Sequence, residues 1–386
     1  MIQVTVTRKA EARLDSGHPW IYASDVADAR GAAPGDAVRV VNERGRFLGV
    51  AHFSSASQIR LRLLTREDRP IDRSFFLERL RSAIEFRRRA APDSDACRLV
   101  HAEADLLPAL IVDQYAGHLS AQFLDQGMDR AAPVIADCLR ELLEPASILA
   151  RNDVPVRRLE QLPLEPRPLY GEPPARVEIR MNGLRLLVDP LHGQKTGVFL
   201  DQRENYLAAA RWARGRGLDL FTCTGGFALH AARSCESIEA VDSSAAALEL
   251  AAENARLNAI ENIQWREANA FDYLSGLASA RRQFEWIVLD PPAFAKSRGN
   301  LDSALRAYRE INFKALKLLA PGGVLVTCSC SHHLTEAALL ELVASAALSA
   351  GRTLRVLERR TQASDHPILL TVPETHYLKC LILQAL

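Results

Sequence analysis

Two apolar runs each end in a residue able to do chemistry. Trp286-Ile287-Val288-Leu289 leads into Asp290-Pro291-Pro292-Ala293-Phe294, and Gly323-Val324-Leu325-Val326 leads through Thr327-Cys328 into Ser329-Cys330-Ser331. Short continuous apolar runs read as buried strands of a parallel sheet. Open α/β sheets bind their ligands beyond the C-terminal ends of such strands. An acid followed by two prolines makes a stiff turn able to brace a flat base, and a thiol at a neighbouring strand end is a potential nucleophile. Together they suit methylation of a pyrimidine ring carbon. C5 of cytosine is a poor nucleophile, but a thiolate adding at C6 turns C5 into an enamine-like carbon. Cys330 is the candidate for that attack, which requires a partly ionised thiol. Asp290 is the candidate acid at N3, offsetting the charge that builds on the ring. The base that removes the C5 proton is not identified. The competing reading of Cys330 is an inert packing residue, the usual fate of a free cysteine. Cys328, one step inward on the same strand face, is expected to have that structural role.

A methyl donor needs its own site. Leu218-Asp219-Leu220-Phe221-Thr222-Cys223-Thr224-Gly225-Gly226 runs from a strand through a small-residue turn into a helix. Glycines there let the backbone approach a ligand closely. The next strand ends at Asp242, 17 residues after Gly225, placed to bond ribose hydroxyls. The alternative for Asp242 is a helix cap. A third strand leads to Asn269-Ala270, where the amide can meet the adenine amino group and an apolar residue can stack on the ring. No second glycine finger grips a pyrophosphate, which points to S-adenosylmethionine rather than a dinucleotide. Upstream, Phe199 and Gln202 in the run His192–Arg203 are placed to hold the methionine end. The candidate cofactor contacts are therefore Phe199, Gln202, Phe221, Thr224, Gly225, Asp242, Asn269, Ala270 and Asp290.

These motifs need elements to carry them. From about residue 190 the pattern alternates strand and helix, the signature of a parallel sheet. Strands are expected near 217–221, 237–241, 262–265, 284–289 and 323–328, with helices between them and a closing pair at 353–357 and 377–383. Residues 1 to about 70 read instead as a small β-rich barrel with one helix starting near Lys9. Arg8, Lys9 and Arg13 lie beside the aromatic run His18-Pro19-Trp20-Ile21-Tyr22, and Arg60 and Arg62 alternate along one strand face. These five are the candidate RNA-phosphate contacts; a plain solvated face is the alternative. Residues 72–90 predict an arginine-rich helix. The span 98–188 predicts short strands around a helix near 129–143, and the proline-rich stretch 155–174 an extended connection. The expected domains are 1–70, 71–188 and 189–386.

Composition narrows the class. A chain of 386 residues with 48% hydrophobic and 25% charged residues is ordinary for a globular protein. No apolar run is long enough for a transmembrane helix. The alternating N-terminus lacks the apolar core of a signal peptide, so a cytoplasmic protein is expected. Seven scattered cysteines argue against a disulfide framework. Cys328 and Cys330 lack a second pair at zinc spacing, so no metal is expected. Net charge is only +1, carried by 42 Arg and 6 Lys against 47 acids, so any RNA site must come from local clustering.

At these motifs the chain resembles the bacterial large-subunit ribosomal RNA cytosine-5 methyltransferases with an N-terminal PUA domain. The PUA part is echoed by His18-Pro19-Trp20-Ile21-Tyr22 and Ser54-Ser55-Ala56-Ser57-Gln58-Ile59-Arg60. The catalytic part is echoed by Lys195-Thr196-Gly197, Leu200-Asp201-Gln202-Arg203, Thr224-Gly225-Gly226-Phe227, Val241-Asp242-Ser243, Leu289-Asp290-Pro291-Pro292, Pro321-Gly322-Gly323, Ser329-Cys330-Ser331 and Asp365-His366-Pro367. The resemblance implies a PUA domain, a central α+β domain and a Rossmann-like methyltransferase domain that uses S-adenosylmethionine. It also implies that Cys330 is the nucleophile. Three departures stand out. Ala293 occupies the place of a second cysteine, Asn269 replaces the usual third-strand acid, and Ala102-Glu103-Ala104-Asp105-Leu106-Leu107-Pro108-Ala109 lacks the family's glycines.

The expected substrate is naked or partly assembled large-subunit ribosomal RNA, since a base must leave its stack to be reached. Two other functions remain open from sequence: methylation of a purine nitrogen without a covalent intermediate, and RNA binding without catalysis. The oligomeric state is also open, a homodimer included, and so is the role of His366.

Overall fold

The computed structural model describes residues 1–191, 198–294 and 300–386. The Lys195-Thr196-Gly197 motif and the first half of the 192–203 run, residues 192–197, lie outside them. The chain forms two compact units: Met1–Ile179 with 188–191 and Ser364–Thr375, and Arg180–Leu187 with Phe199–Ala363 and His376–Leu386.

The first unit contains two sheets. Strands β1 (Gln3–Val6), β2 (Trp20–Tyr22), β3 (Val26–Asp28), β4 (Ala37–Asn42), β5 (Phe47–Phe53) and β6 (Ile59–Thr65) form a six-stranded sheet in the order β2-β6-β5-β4-β1-β3. It curls round Val4, Val6, Leu14, Ile21, Val38, Val40 and Leu61, with α1 (Arg8–Asp15) contributing Ala10 and Leu14. Next come α2 (Arg73–Ala90), β7 (Ala96–His101), β8 (Leu110–Tyr115), β9 (His118–Phe123), α3 (Gln126–Leu143), β10 (Ser147–Ala150) and β11 (Arg167–Tyr170). Their sheet runs β11-β10-β9-β8-β7. The core between sheet and helices includes Phe75, Leu80, Leu110, Phe123, Ile135 and Leu139. Both helices start on aspartate caps: Asp72 accepts from Ser74 and Phe75 N–H, and Asp125 from Met128 N–H.

Strands β12 (Val177–Met181) and β13 (Leu184–Val188) pair as a separate two-stranded sheet. The second unit is built on α4 (Arg203–Ala210), β14 (Gly215–Leu220), α5 (Gly226–Ala231), β15 (Cys235–Asp242), α6 (Ala245–Leu257), β16 (Ile263–Glu267), α7 (Ala270–Ser279), β17 (Phe284–Leu289), α8 (Leu301–Leu318), β18 (Leu319–Ser329), α9 (Glu336–Ala350), β19 (Leu354–Arg360) and β20 (Lys379–Ala385). The sheet order is β16-β15-β14-β17-β18-β20-β19, parallel except for β20, which is antiparallel to both its neighbours. Order reverses at β14, so the crevice beyond β14 and β17 is the binding position the topology creates. The central strands are apolar because both faces are covered: Trp286, Ile287, Val288 and Leu289 are all fully buried.

Several elements differ from expectation. Strands β2, β3 and β7 and helix α7 were not foreseen. Part of the proline-rich stretch is a strand, β11, which pairs only with β10 at the sheet edge, where a proline costs no ladder bond. The expectation that Arg60 and Arg62 share a solvent-facing strand face is corrected. Arg62 is buried, at 9% exposure, and its Nη1 bonds Glu160 Oε1 at 2.8 Å, with Asp125 Oδ2 at 3.7 Å. Glu160 and Asp125 of the same unit pack over Arg62, and a buried cation requires such partners, while Arg60 stays half-buried.

Candidate active site

Strand ends assemble the site. After β14, Phe221 and Cys223 adopt left-handed φ values of 63° and 50°, and Gly225 follows at 86°. A Cβ on Gly225 would lie 2.8 Å from Trp265 Cη2, and one on Gly226 would lie 2.4 Å from Tyr206 Cζ, so the turn packs closely enough to require both glycines. Asp242, at the end of β15, faces this turn: its Oδ2 accepts from Cys223 N–H at 2.9 Å and its Oδ1 from Ser244 N–H at 2.9 Å. The α6 cap itself is Ser244, whose Oγ accepts from Ala247 N–H. Asp242 therefore fixes the loop rather than capping the helix, and its carboxylate is held at the strand edge.

Beneath the turn lies Asp219, fully buried, its Oδ2 accepting from Thr222 Oγ1 at 2.6 Å and from Ala228 N–H at 3.1 Å. Burial pushes its carboxyl up to about 7, against those two hydrogen bonds. Burial likewise pushes the Cys223 thiol up to about 11, with Asp242 adding to the effect. That thiol is therefore not a nucleophile at neutral pH.

Asn269 is exposed and caps α7, its Oδ1 accepting from Phe271 and Asp272 N–H. Ala270 beside it is buried. Phe221, Phe271 and Phe294 form an aromatic wall, with Phe294 6.4 Å from Phe221 and 6.0 Å from Phe271 between ring centres. Thr224 is half-buried on the turn, and Phe199 is half-buried where the chain enters α4, its carbonyl accepting from Gln202 N–H.

The proposed catalytic pair sits on neighbouring parallel strands. Leu289 of β17 is level with Thr327 of β18, so Asp290 stands level with Cys328, and Cys330 is two residues further out. Cys328 is fully buried opposite Cys380 of β20, and its thiol is pushed up by burial and by that neighbouring thiol. Cys330 is half-buried. The two serines flanking it are held from below: Tyr308 Oη of α8 lies 3.0 Å from Ser329 Oγ and 3.1 Å from Ser331 Oγ. Asp290 is held as well. Gln202 Nε2 donates to Asp290 Oδ2 at 3.0 Å, Asn205 Nδ2 donates to Gln202 Oε1 at 2.7 Å, and Arg360 Nε donates to Asn205 Oδ1 at 2.9 Å. Gln202 and Asn205 are both buried, so this chain of amides is fixed in place. Asn205, Tyr308 and Arg360 were not singled out from sequence, and nothing in their local spacing marks them.

The remaining candidates lie in the first unit. Arg8 and Lys9 are exposed, and Lys9 Nζ is 3.3 Å from Asp25. Arg13 pairs with Asp25 at 3.2 Å and stacks 4.5 Å over the Tyr22 ring. Arg60 donates to Ser54 O at 2.7 Å. Asp365 and His366 are buried in the first unit, where Asp365 Oδ2 accepts from Arg98 N–H at 2.9 Å and its carbonyl accepts from Arg87 at 3.0 Å. His366 Nδ1 is 3.0 Å from Asp365 Oδ1.

Comparison with known proteins assigns the chain. A family model described as "PUA-like domain" matches residues 4–66, and one described as "S-adenosylmethionine-dependent methyltransferase" matches residues 164–383. The "Ribosomal RNA large subunit methyltransferase I" of Tolumonas auensis is 39% identical over 99% of both chains. The chain belongs to the ribosomal RNA large subunit methyltransferase I family. The relative of that name from Escherichia coli O9:H4 is 36% identical over 98% of both chains. A solved SAM-dependent methyltransferase from Streptococcus mutans superposes over the full length of both chains with a TM-score of 0.84 at 19% identity, which shows a shared fold. Another, solved with SAH, gives 0.86.

Membership makes the chain an S-adenosylmethionine-dependent methyltransferase with a PUA half-barrel, a central α/β region and a Rossmann-like catalytic sheet. The crevice fits that cofactor in kind: a tight glycine turn for close backbone approach, a fixed carboxylate at the second strand end, and an aromatic wall beside the third. No described helix is long and apolar enough to cross a membrane.

Proposed function

We propose that this protein methylates C5 of a cytosine in large-subunit ribosomal RNA through a transient bond between Cys330 Sγ and C6. The observation that carries the reading is the pairing of a half-buried thiol, set between two braced serines, with a braced carboxyl on adjacent strand ends, Cys330 beyond β18 and Asp290 beyond β17. The family's substrate, named in its relatives, is large-subunit ribosomal RNA.

Bound S-adenosylmethionine supplies a methyl group carried on positively charged sulfur. In the reading proposed here Asp242 takes the ribose hydroxyls, and Phe221, Ala270 and the Phe271 side flank the adenine. The Asn269 Oδ1 is committed to its cap, so its amide N–H groups meet the adenine ring acceptors instead of the amino group. Thr224 and Gly225 give backbone contacts, and Phe199 carries the methionine end. Gln202 acts by aiming Asp290. Cys330 thiolate adds at C6, and its electron pair passes into the ring, where Asp290, acting as the protonated acid, gives its proton to N3; that proton returns to Asp290 as C5 takes the methyl group. After C5 is methylated, its proton leaves to a base, the C5–C6 double bond re-forms and the Sγ–C6 bond breaks. With Ala293 where a second cysteine would stand, release depends on that proton loss alone.

The proposed working division keeps 1–70 as the RNA-binding PUA part, with 71–188 central and 189–386 catalytic. Arg8, Lys9, Arg13 and Arg60 are the proposed phosphate contacts, while Arg62 is buried against Glu160. Transfer of labelled methyl groups to unmodified large-subunit RNA, followed by nucleoside analysis, tests the reading. Label in 5-methylcytosine, lost in Cys330→Ser, is expected. Label in a methylated purine that survives in Cys330→Ser would overturn it.

A further inference from the structure

Lysine is scarce in this chain, six against 42 arginines, yet among the described residues one lysine is buried: Lys379, the first residue of β20, at 3% exposure. A buried ammonium needs hydrogen-bond acceptors and a compensating negative charge. The acceptors are backbone carbonyls. Nζ donates to Ser331 O at 2.6 Å and to Tyr377 O at 2.8 Å. An ammonium has three N–H donors, and these two bonds leave a third.

The bond to Ser331 O places the ammonium one peptide from Cys330. Lys379 lies directly opposite Ser329 in the antiparallel β18–β20 pair, so their side chains share a face. The lysine side chain then runs outward along β18 until Nζ reaches the carbonyl of Ser331, the residue after Cys330. Cys330 lies between Ser329 and Ser331 in sequence, so the clamp holds the backbone on either side of it. The charged and titratable groups about the ammonium are Cys330, Glu336 at the start of α9, Tyr377 and His332, whose ring is 5.7 Å from that of Tyr377. Glu336 is already engaged by the Arg359 guanidinium, and the Tyr377 hydroxyl donates to Asp201 at 2.7 Å. Burial draws the lysine down to about 8, and the charges of Cys330 and then Glu336 oppose that fall.

We infer that Lys379 is a positioning residue whose ammonium, clamped on the Ser331 and Tyr377 carbonyls, serves as the counter-ion that holds Cys330 as a thiolate. The inference rests on the reading of Cys330 as nucleophile. The thiol proton leaves to bulk water and the ammonium keeps its own three. When Cys330 is expelled from C6 as a thiolate, it returns to the same cation. A compact ammonium suits this place, since it sits as a point charge on two carbonyls, and a flat guanidinium fork cannot occupy the same spot without moving them.

The test is the pH dependence of Cys330 alkylation by iodoacetamide, read by peptide mass mapping that separates all seven cysteines. It uses the full chain without RNA or cofactor, so it stands apart from whether cytosine is the base methylated. Wild type should show Cys330 titrating below the free-thiol value of about 8.5. Lys379→Met should raise that midpoint by a unit or more, an approximately tenfold loss of alkylation at pH 7, and Lys379→Arg should restore part of it. An unchanged profile in Lys379→Met would overturn the inference. Should Lys379→Met not fold, wild type decides: a Cys330 midpoint at or above the free-thiol value overturns the inference equally.

Discussion

Asp290 does not aim itself. Its carboxyl takes a hydrogen bond from Gln202, which is held by Asn205, which is held by Arg360 from the far edge of the sheet. Sequence spacing suggested Gln202 as a contact to the methionine end of the cofactor, and the two roles predict different kinetics. Leaving a buried polar group without its partner costs about 1–3 kcal/mol, so Gln202→Ala should lower kcat by roughly 5- to 100-fold with little change in KM for S-adenosylmethionine. A large rise in that KM with kcat preserved would return Gln202 to the cofactor. Residue-level legibility was uneven for a physical reason. Cys330 and Asp290 announce themselves because each follows an apolar strand. Lys379 does not, because its partner is a carbonyl 48 residues earlier, and Tyr308 does not, because a tyrosine at helical spacing reads simply as core.

At the scale of elements, the turn after β14 depends on a buried acid. The Asp219 carboxyl is raised from 3.8 to about 7 by burial. The folded chain therefore holds a proton that the unfolded chain releases between about pH 4 and pH 7, and stability falls as pH rises through that window. Asp219→Asn removes the titration while keeping an acceptor for Thr222 and Ala228. Its melting temperature should gain on wild type as pH goes from 5 to 8; parallel curves would show that the acid is ionised in the fold. Strands β17 and β18 were readable because their continuous apolar runs can only be buried. Helix α7 was not, since Ala270–Ser279 contains Gly276 and two serines and its amphipathic stripe is short. Strand β11 was hidden by Pro168, which an edge strand tolerates.

At the scale of the whole molecule, the N-terminal barrel is stitched to the central part of its own unit by charge. Arg62 and Ser54 both reach Glu160, about a hundred residues away in sequence, and all three are buried. Removing one partner of a buried pair costs roughly 3–5 kcal/mol, so Glu160→Ala should lower the melting temperature sharply without altering the salt slope of RNA binding. Arg8→Ala with Lys9→Ala should do the reverse, leaving stability intact and flattening the slope by up to about two phosphate contacts. A salt slope unmoved by Arg8 and Lys9 would remove them from the proposed RNA face. Alternation along β6 misled the reading of Arg62 because alternation assigns a face, and only the tertiary fold decides whether that face meets water. The same limit applied to Asp365-His366-Pro367, a motif whose sequence gave no sign that it packs against Arg87 and Arg98 of the first unit.

The covalent step is the centre of the account, and a trap reads it directly. In RNA carrying 5-fluorocytidine the C5 proton is replaced by fluorine, so elimination after methyl transfer is blocked and the Sγ–C6 bond persists. Incubation of the wild-type protein with S-adenosylmethionine and such large-subunit RNA should give a denaturation-resistant complex, and peptide mapping should place the nucleotide on Cys330. Absence of the adduct, from protein that still methylates unsubstituted RNA, would contradict the mechanism.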